Sequence, residues 1–538
     1  MYVHFLVLTL LNALSMVVLV KGHVTYNIIK QHMGHNMLSE LIKESQISNS
    51  VKRALAIAIT TSLPLFSVSA HATDFQLDNG LKVEWDSSVS YGMMYRLGDQ
   101  STKLLADPNA VAGNNNFDKG VVSNRFSFST EADISGENSG VFIRATGFYD
   151  KEVKDLNLPD DVDELHGSDV KILDFFYYNT QDWGSIRIGN QVVSWGESFF
   201  LPGLSALQSP IDITKFNVPG VELKEIFLPE QQIYGSLYLS DELSVEAYYQ
   251  WAWHEHDFDG VGSYFSGFNF FGAGTQDIII GPGPSDVIPY ASSKDNDAKD
   301  SGQYGIALRY LATELNDTEF GFYFMNYHDR VSIQAFDADG FHYEYPENNK
   351  AYGVSFSTNI DGTNWSGEVF YRPDAPVYSE DFAVARAKIW QANISWIHNF
   401  GPTVFADDMD FVGEAVYQDA APKDGVTLGW GSENASVIAG EFDLYYKNIL
   451  PSLDIIVPIG FVASLNGTAA DQMANFDDKT YSFYTGINGS YLDNWSFSAK
   501  YTNFFGEGND ELTGPTKQGP TPSLGDRDFI SINVSYSF

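Results

Sequence analysis

From Leu81 onward, hydrophobic and polar positions alternate one for one. Leu81, Val83, Trp85, Val89, Tyr91, Met93 and Tyr95 share one parity; Lys82, Glu84, Asp86, Ser88, Ser90 and Arg96 share the other. Side chains along a strand point to opposite faces, so this spacing predicts a strand of about 16 residues, against the ~5–6 usual in globular sheets. The alternation returns at Val122, Phe126, Phe128, Ala132 and Ile134, where Ser123, Arg125, Ser127, Ser129, Glu131 and Asp133 intervene. It continues at Val141, Ile143, Ala145 and Tyr149, at Leu243 to Trp253, and at Trp495, Phe497, Ala499 and Tyr501. Roughly 16–18 such segments occur, each about 9–12 residues or longer, and helical spacing is almost absent. Short links (313–318, 492–494) alternate with long ones (254–300, 331–349).

Long strands with one apolar face, short turns at one end and long loops at the other predict an all-β fold, a transmembrane antiparallel barrel. Lipid forbids unpaired backbone groups, and a closed barrel has no edge to leave unpaired. The end of the chain fits. Ile530, Ile532, Val534, Tyr536 and Phe538 share one parity, with Ser531, Asn533, Ser535 and Ser537 between them. This resembles the assembly signal of bacterial outer-membrane barrels, with Tyr536 and Phe538 as its aromatic positions. It implies the barrel assembly machinery, outer-membrane lipid and lipopolysaccharide as partners.

Composition narrows the class further. The chain has 538 residues, 31 Lys+Arg against 70 Asp+Glu, a net charge of −39, and 15% aromatic residues. The aromatic load argues against acidic disorder, and the acidity argues against nucleic acid as a partner. With no cysteine, disulfides, Cys-ligated metals and Cys nucleophiles are excluded.

Near the N-terminus, Lys52 and Arg53, the apolar run Ala54 to Phe66 and Ala70-His71-Ala72 follow the order of a secretory signal. Residues 51–72 therefore read as a cleaved signal peptide, with Thr73 as the first mature residue. Residues 1–50 read as an upstream extension, since a start at Met37 would put the signal in its ordinary place. The barrel is expected over 73–538.

The stretch Ile188-Gly189-Asn190-Gln191-Val192-Val193-Ser194-Trp195-Gly196-Glu197-Ser198 carries a family resemblance. It continues in Ser209-Pro210-Ile211-Asp212, in Pro219 to Glu225, and in Leu228-Pro229. Gly367-Glu368-Val369-Phe370-Tyr371-Arg372-Pro373-Asp374-Ala375-Pro376 and Val412-Gly413-Glu414 echo it later. Together these resemble domain-of-unknown-function family 1302, a set of proteobacterial outer-membrane proteins. The resemblance implies traffic in hydrophobic molecules, with periplasmic lipid-handling proteins among the partners; it assigns no mechanism.

Residues 196–230 interrupt the alternation with Pro202, Pro210, Pro219 and Pro229, none of which suits a central strand. So long a segment without strand pattern suggests function. It is expected to enter the lumen as a constriction or partial plug, with Val221 to Phe227 as a short amphipathic helix. Phe199, Phe200 and Phe216 would line the passage, and Glu197, Asp212, Glu222, Lys224 and Glu225 would fix the segment to lumen charges. The plainer alternative is an external loop. By parity, Arg125, Arg144, Arg187, Arg309, Glu131, Glu246 and Lys500 face inward, as the polar interior of a large barrel requires.

His254-Glu255-His256-Asp257 has the residue types of a zinc site, but its place where a strand enters a loop favours a solvated strand end. Asp295 to Asp300 lacks the glycine and glutamate of a calcium loop. No catalytic motif such as Gly-x-Ser-x-Gly or His-Glu-x-x-His is present. A cofactor, a metal and an enzymatic activity are therefore not expected. The leading expectation is an outer-membrane channel for small hydrophobic or amphipathic molecules. The alternatives are a general porin for hydrophilic solutes, a surface-binding barrel that transports nothing, and a lipid hydrolase.

Overall fold

A computed structural model describes residues 75–78, 80–102, 104–380, 383–429, 431–471, 476–506 and 524–538. The expected signal peptide, 51–72, and the expected upstream extension, 1–50, lie outside them.

Eighteen long strands, from Lys82–Arg96 to Phe529–Ser537, form one antiparallel sheet that closes on itself. The two-residue strand Phe75–Gln76 pairs beside the first of them. Closure joins the first long strand to the last, from Ser88 opposite Ser537 to Arg96 opposite Phe529. The final residue takes part: Phe538 N donates to Ser87 O at 2.8 Å, and Ser87 N donates to Phe538 O at 2.8 Å. No ladder group at the seam is left to lipid, which is what a barrel requires.

The outward parity is apolar around the wall. Tyr91, Tyr149, Phe175, Ile188, Ile306, Val354, Trp390, Ile394, Ile487, Ile532 and Val534 are all exposed. So much continuous apolar surface is untenable in water and ordinary in a bilayer. Aromatic rings cluster near both strand ends, as membrane interfaces favour. At the turn end, Trp365 and Trp396 lie 5.8 Å apart, Trp396 and Phe411 6.0 Å, and Phe411 and Phe442 4.4 Å. At the loop end, Phe324 and Tyr352 lie 5.3 Å apart, and Tyr371 and Trp390 4.6 Å. The chain is an outer-membrane-type β-barrel.

The loop end is covered. Residues 251–302 run from the links after the first and third long strands to the hairpin Ile333–Asp337/Gly340–Glu344. Asn269 N donates to Asn109 O at 2.6 Å, Gly260 N to His166 Nε2 at 3.0 Å, and Tyr343 OH to Phe270 O at 3.0 Å. Trp253, Phe341, Tyr343 and Tyr345 form a buried cluster there.

Candidate functional site

The strand Gly184–Gln191 ends four residues before Trp195, and the next long strand begins at Glu230. Between them, residues 192–229 cross the barrel interior rather than loop outward. Their partners lie on wall strands around much of the bore, including Glu368, Gln391, Glu414, Thr146 and Glu131.

The first limb, 193–208, is pinned by barrel carboxylates that accept backbone N–H groups. Glu368 Oε2 accepts from Glu197 N at 2.7 Å, and its Oε1 from Leu204 N at 2.9 Å. Glu414 Oε2 accepts from Phe200 N at 2.7 Å, Leu201 N at 2.9 Å and Phe199 N at 3.3 Å. Both glutamates are buried, and charge-assisted hydrogen bonds of this kind are what make a buried carboxylate tolerable. The approach depends on glycine. A Cβ at Gly196, where φ is +104°, would stand 2.2 Å from Glu368 Oε2, and one at Gly203 would stand 2.1 Å from Oε1. Trp195 completes the limb, with its indole N–H on Glu246 Oε2 at 2.7 Å and its ring 5.0 Å from Tyr248.

A second element locks the middle. Asp257 N donates to Ile211 O at 3.0 Å, Ile213 N to Asp257 O at 2.9 Å, and Ile211 N to His256 Nδ1 at 2.9 Å. The His254-Glu255-His256-Asp257 stretch is thus a solvated strand end only in part: His254 and Glu255 are exposed, whereas His256 is buried. His256 and Asp257 dock on the crossing segment, and burial pushes the His256 imidazole down to about 3, so it stays a neutral acceptor. Among the described residues, no group of three or more His, Asp or Glu is placed to hold a metal ion. Buried Arg330 ties the same region to Glu230 at 2.9 Å and to Gln208 O at 3.1 Å.

The second limb, 214–227, meets the wall through side chains. Lys224 Nζ lies 3.3 Å from Glu131, and Thr146 donates to Glu225 Oε2 at 3.1 Å. The expected helix over Val221 to Phe227 is absent: only a 3-10 turn, Leu223–Glu225, forms. Pro219 and Gly220 lead into it and Pro229 follows, so there is no room for a run of helical hydrogen bonds. Of the segment's charges expected to anchor it, Lys224 and Glu225 reach the wall, and three do so differently or not at all. Asp212 pairs with Lys215 at 3.2 Å and Glu222 with Lys224 at 3.1 Å, both inside the segment. Glu197 contributes its backbone N–H rather than its carboxylate.

The segment leaves apolar groups uncovered within the interior. Phe199, Phe200, Phe216 and Leu223 are each at least 40% exposed. Arg125, Arg144, Arg187, Arg309, Glu246 and Lys500 project from the inward parity of the wall. Arg144 bridges Glu131 at 3.0 Å and Asp174 at 2.9 Å, Arg309 bridges Glu246 at 2.8 Å, Arg125 stacks 3.5 Å from the Phe148 centroid, and Lys500 lies 5.2 Å from the Tyr484 centroid. Two cavities flank the segment. One, of about 570 Å³, lies between Arg187, Phe142 and Leu223; the other, of about 530 Å³, lies between Glu197, Glu319 and Asn364. Glu197 there is pushed up to about 7, chiefly by burial.

Several solved barrels are similar in outline. OccAB2 of Acinetobacter baumannii has a TM-score of 0.44 at 12% identity, covering 85% of this chain and 98% of that one. The outer-membrane protein opdK of Pseudomonas aeruginosa has a TM-score of 0.43 at 10% identity, covering 85% and 98%. The outer-membrane channel DcaP of Acinetobacter baumannii has a TM-score of 0.37 at 8% identity, covering 86% and 99%. No curated protein matches the sequence. The family match is direct and runs through the crossing segment and both glutamate clamps: over residues 53–538 the chain belongs to the family described as protein of unknown function (DUF1302).

Proposed function

We propose that this barrel is an outer-membrane channel for small amphipathic molecules, narrowed by residues 192–229. The observation that carries the reading is the contrast within that segment. Its backbone is pinned to the wall by Glu368 and Glu414, while Phe199, Phe200, Phe216 and Leu223 stay uncovered in the interior. A purely structural filler would pack those side chains away, because exposed apolar area costs roughly 25 cal/mol per Å². Side chains that line a route for a partly apolar solute have reason to remain open. On this reading the turn end faces the periplasm, the covered loop end faces outward, and the chain reaches the membrane through its cleaved signal.

The test is replacement of residues 196–229 by a short Gly-Ser linker. The barrel should still fold, single-channel conductance should rise, and preference for amphipathic over hydrophilic solutes in liposome-swelling assays should fall. Unchanged conductance and preference would show that the segment does not define the passage.

A further inference from the structure

We propose that the 570 Å³ cavity beside Arg187 is a binding site for a monoanionic amphiphile, a compact apolar or aromatic body carrying one carboxylate. The size suits a small-molecule ligand. The inward parity of a large barrel is ordinarily polar, yet here it carries Phe142 and Phe176, with ring centroids 5.4 Å apart. The crossing segment adds Phe227 and Leu223, and Leu223 is 68% exposed. This is an apolar slot with no apolar occupant among the described residues.

The charges in the cavity are unequal. Arg144 is met by both Glu131 and Asp174, and Lys224 by both Glu131 and Glu222. Arg187 has no carboxylate within ion-pair distance among the described residues, and its buried Nε has no acceptor. Its guanidinium lies 4.5 Å from the Tyr234 centroid and 5.8 Å from that of Phe176. Stacking holds the planar group in one orientation and leaves its N–H fork for a bidentate acceptor. A carboxylate matches that fork. A dianion would bring its second charge against Asp174, which also lines the cavity. The site's part in transport rests on the channel reading above, whereas binding itself does not.

The test uses the full chain folded in detergent micelles, with 2-naphthoate as probe and the matching alcohol and amine, 2-naphthalenemethanol and 2-naphthylmethylamine, as controls. Calorimetry should show naphthoate binding at least about tenfold tighter than the alcohol. Arg187→Gln should erase that difference, and Arg187→Lys should keep part of it. Leu223→Asp, at an exposed position that folding does not depend on, should repel naphthoate and favour the amine. Equal affinity for alcohol and naphthoate, or binding unaffected by both Arg187→Gln and Leu223→Asp, would overturn the site. In planar bilayers, naphthoate should block current through the native barrel and not through Arg187→Gln. A barrel that binds naphthoate through Arg187 but conducts nothing would support the site and overturn the channel reading.

Discussion

Residues 193–208 and residues 214–227 cross the same bore, but they are held by different chemistry. Each limb has a buried part and an uncovered part: Trp195 and Leu204 are buried in the first while Phe199 and Phe200 are exposed, and Lys215 and Glu225 are buried in the second while Phe216 and Leu223 are exposed. The first limb hangs from two buried carboxylates that accept its main-chain N–H groups. The second hangs from side-chain pairs: a partly exposed one, Lys224 on Glu131, of the kind that contributes little, and a buried hydrogen bond from Thr146 to Glu225.

The largest expected effect comes from cutting the first limb loose. Glu368→Ala combined with Glu414→Ala would remove the acceptors of five backbone donors, at about 1–3 kcal/mol for each one left buried and unsatisfied. Thermal stability should fall and single-channel current should become larger and noisier. If current and melting temperature are unchanged, the two limbs do not differ as described. Gly196→Ala should act in the same direction but less strongly. It places a Cβ against Glu368 Oε2 at a left-handed φ, a strain of roughly 1–3 kcal/mol; rescue by the added Glu368→Ala would tie the effect to that contact.

Lys224→Ala tests the second limb and should cost at most about 1 kcal/mol. Its conductance change should be far smaller than that of the double glutamate variant. A further test is a pH dependence at Glu197. Burial raises its folded value to about 7 from an ordinary 4.5, so ionisation disfavours the folded state. That penalty is absent below about 4.5 and complete above about 7. Glu197→Gln should therefore melt higher than the native protein at pH 8 and equally at pH 4, and a gain that is the same at both pH values would contradict this assignment.

The barrel was legible because its signal is local. Inward Arg144 and outward Ile143 are neighbours in sequence, and alternation over many strands needs no knowledge of what lies across the bore. The segment 192–229 was legible as an interruption, through its prolines. Its fastening was not. The stretch around Trp195-Gly196-Glu197 and the later Glu368 and Glu414 stand far apart in the chain, and each is unremarkable as a sequence. The acceptors bind main-chain N–H groups, which every non-proline residue owns and none advertises. The docking of His256 and Asp257 was hidden for the same reason, since their partners are the backbone atoms of Ile211 and Ile213. A signal did exist for the proposed ligand cavity. Phe142 and Phe176 sit on the parity that should be polar, and an aromatic ring there needs something other than water to cover it.

Sequence by itself determined the all-β class, the long strands, the apolar outer face and an amphipathic last strand able to close on the first. Each follows from a period of two, read between near neighbours. Only the tertiary structure decided that the strands number eighteen, that the proline-rich segment lies inside the barrel, and that among the described residues Arg187 has no carboxylate within ion-pair distance while Arg144 and Lys224 do. Those outcomes depend on which residues meet across a bore, a distance set by closure of the whole sheet and recorded in no local stretch of chain.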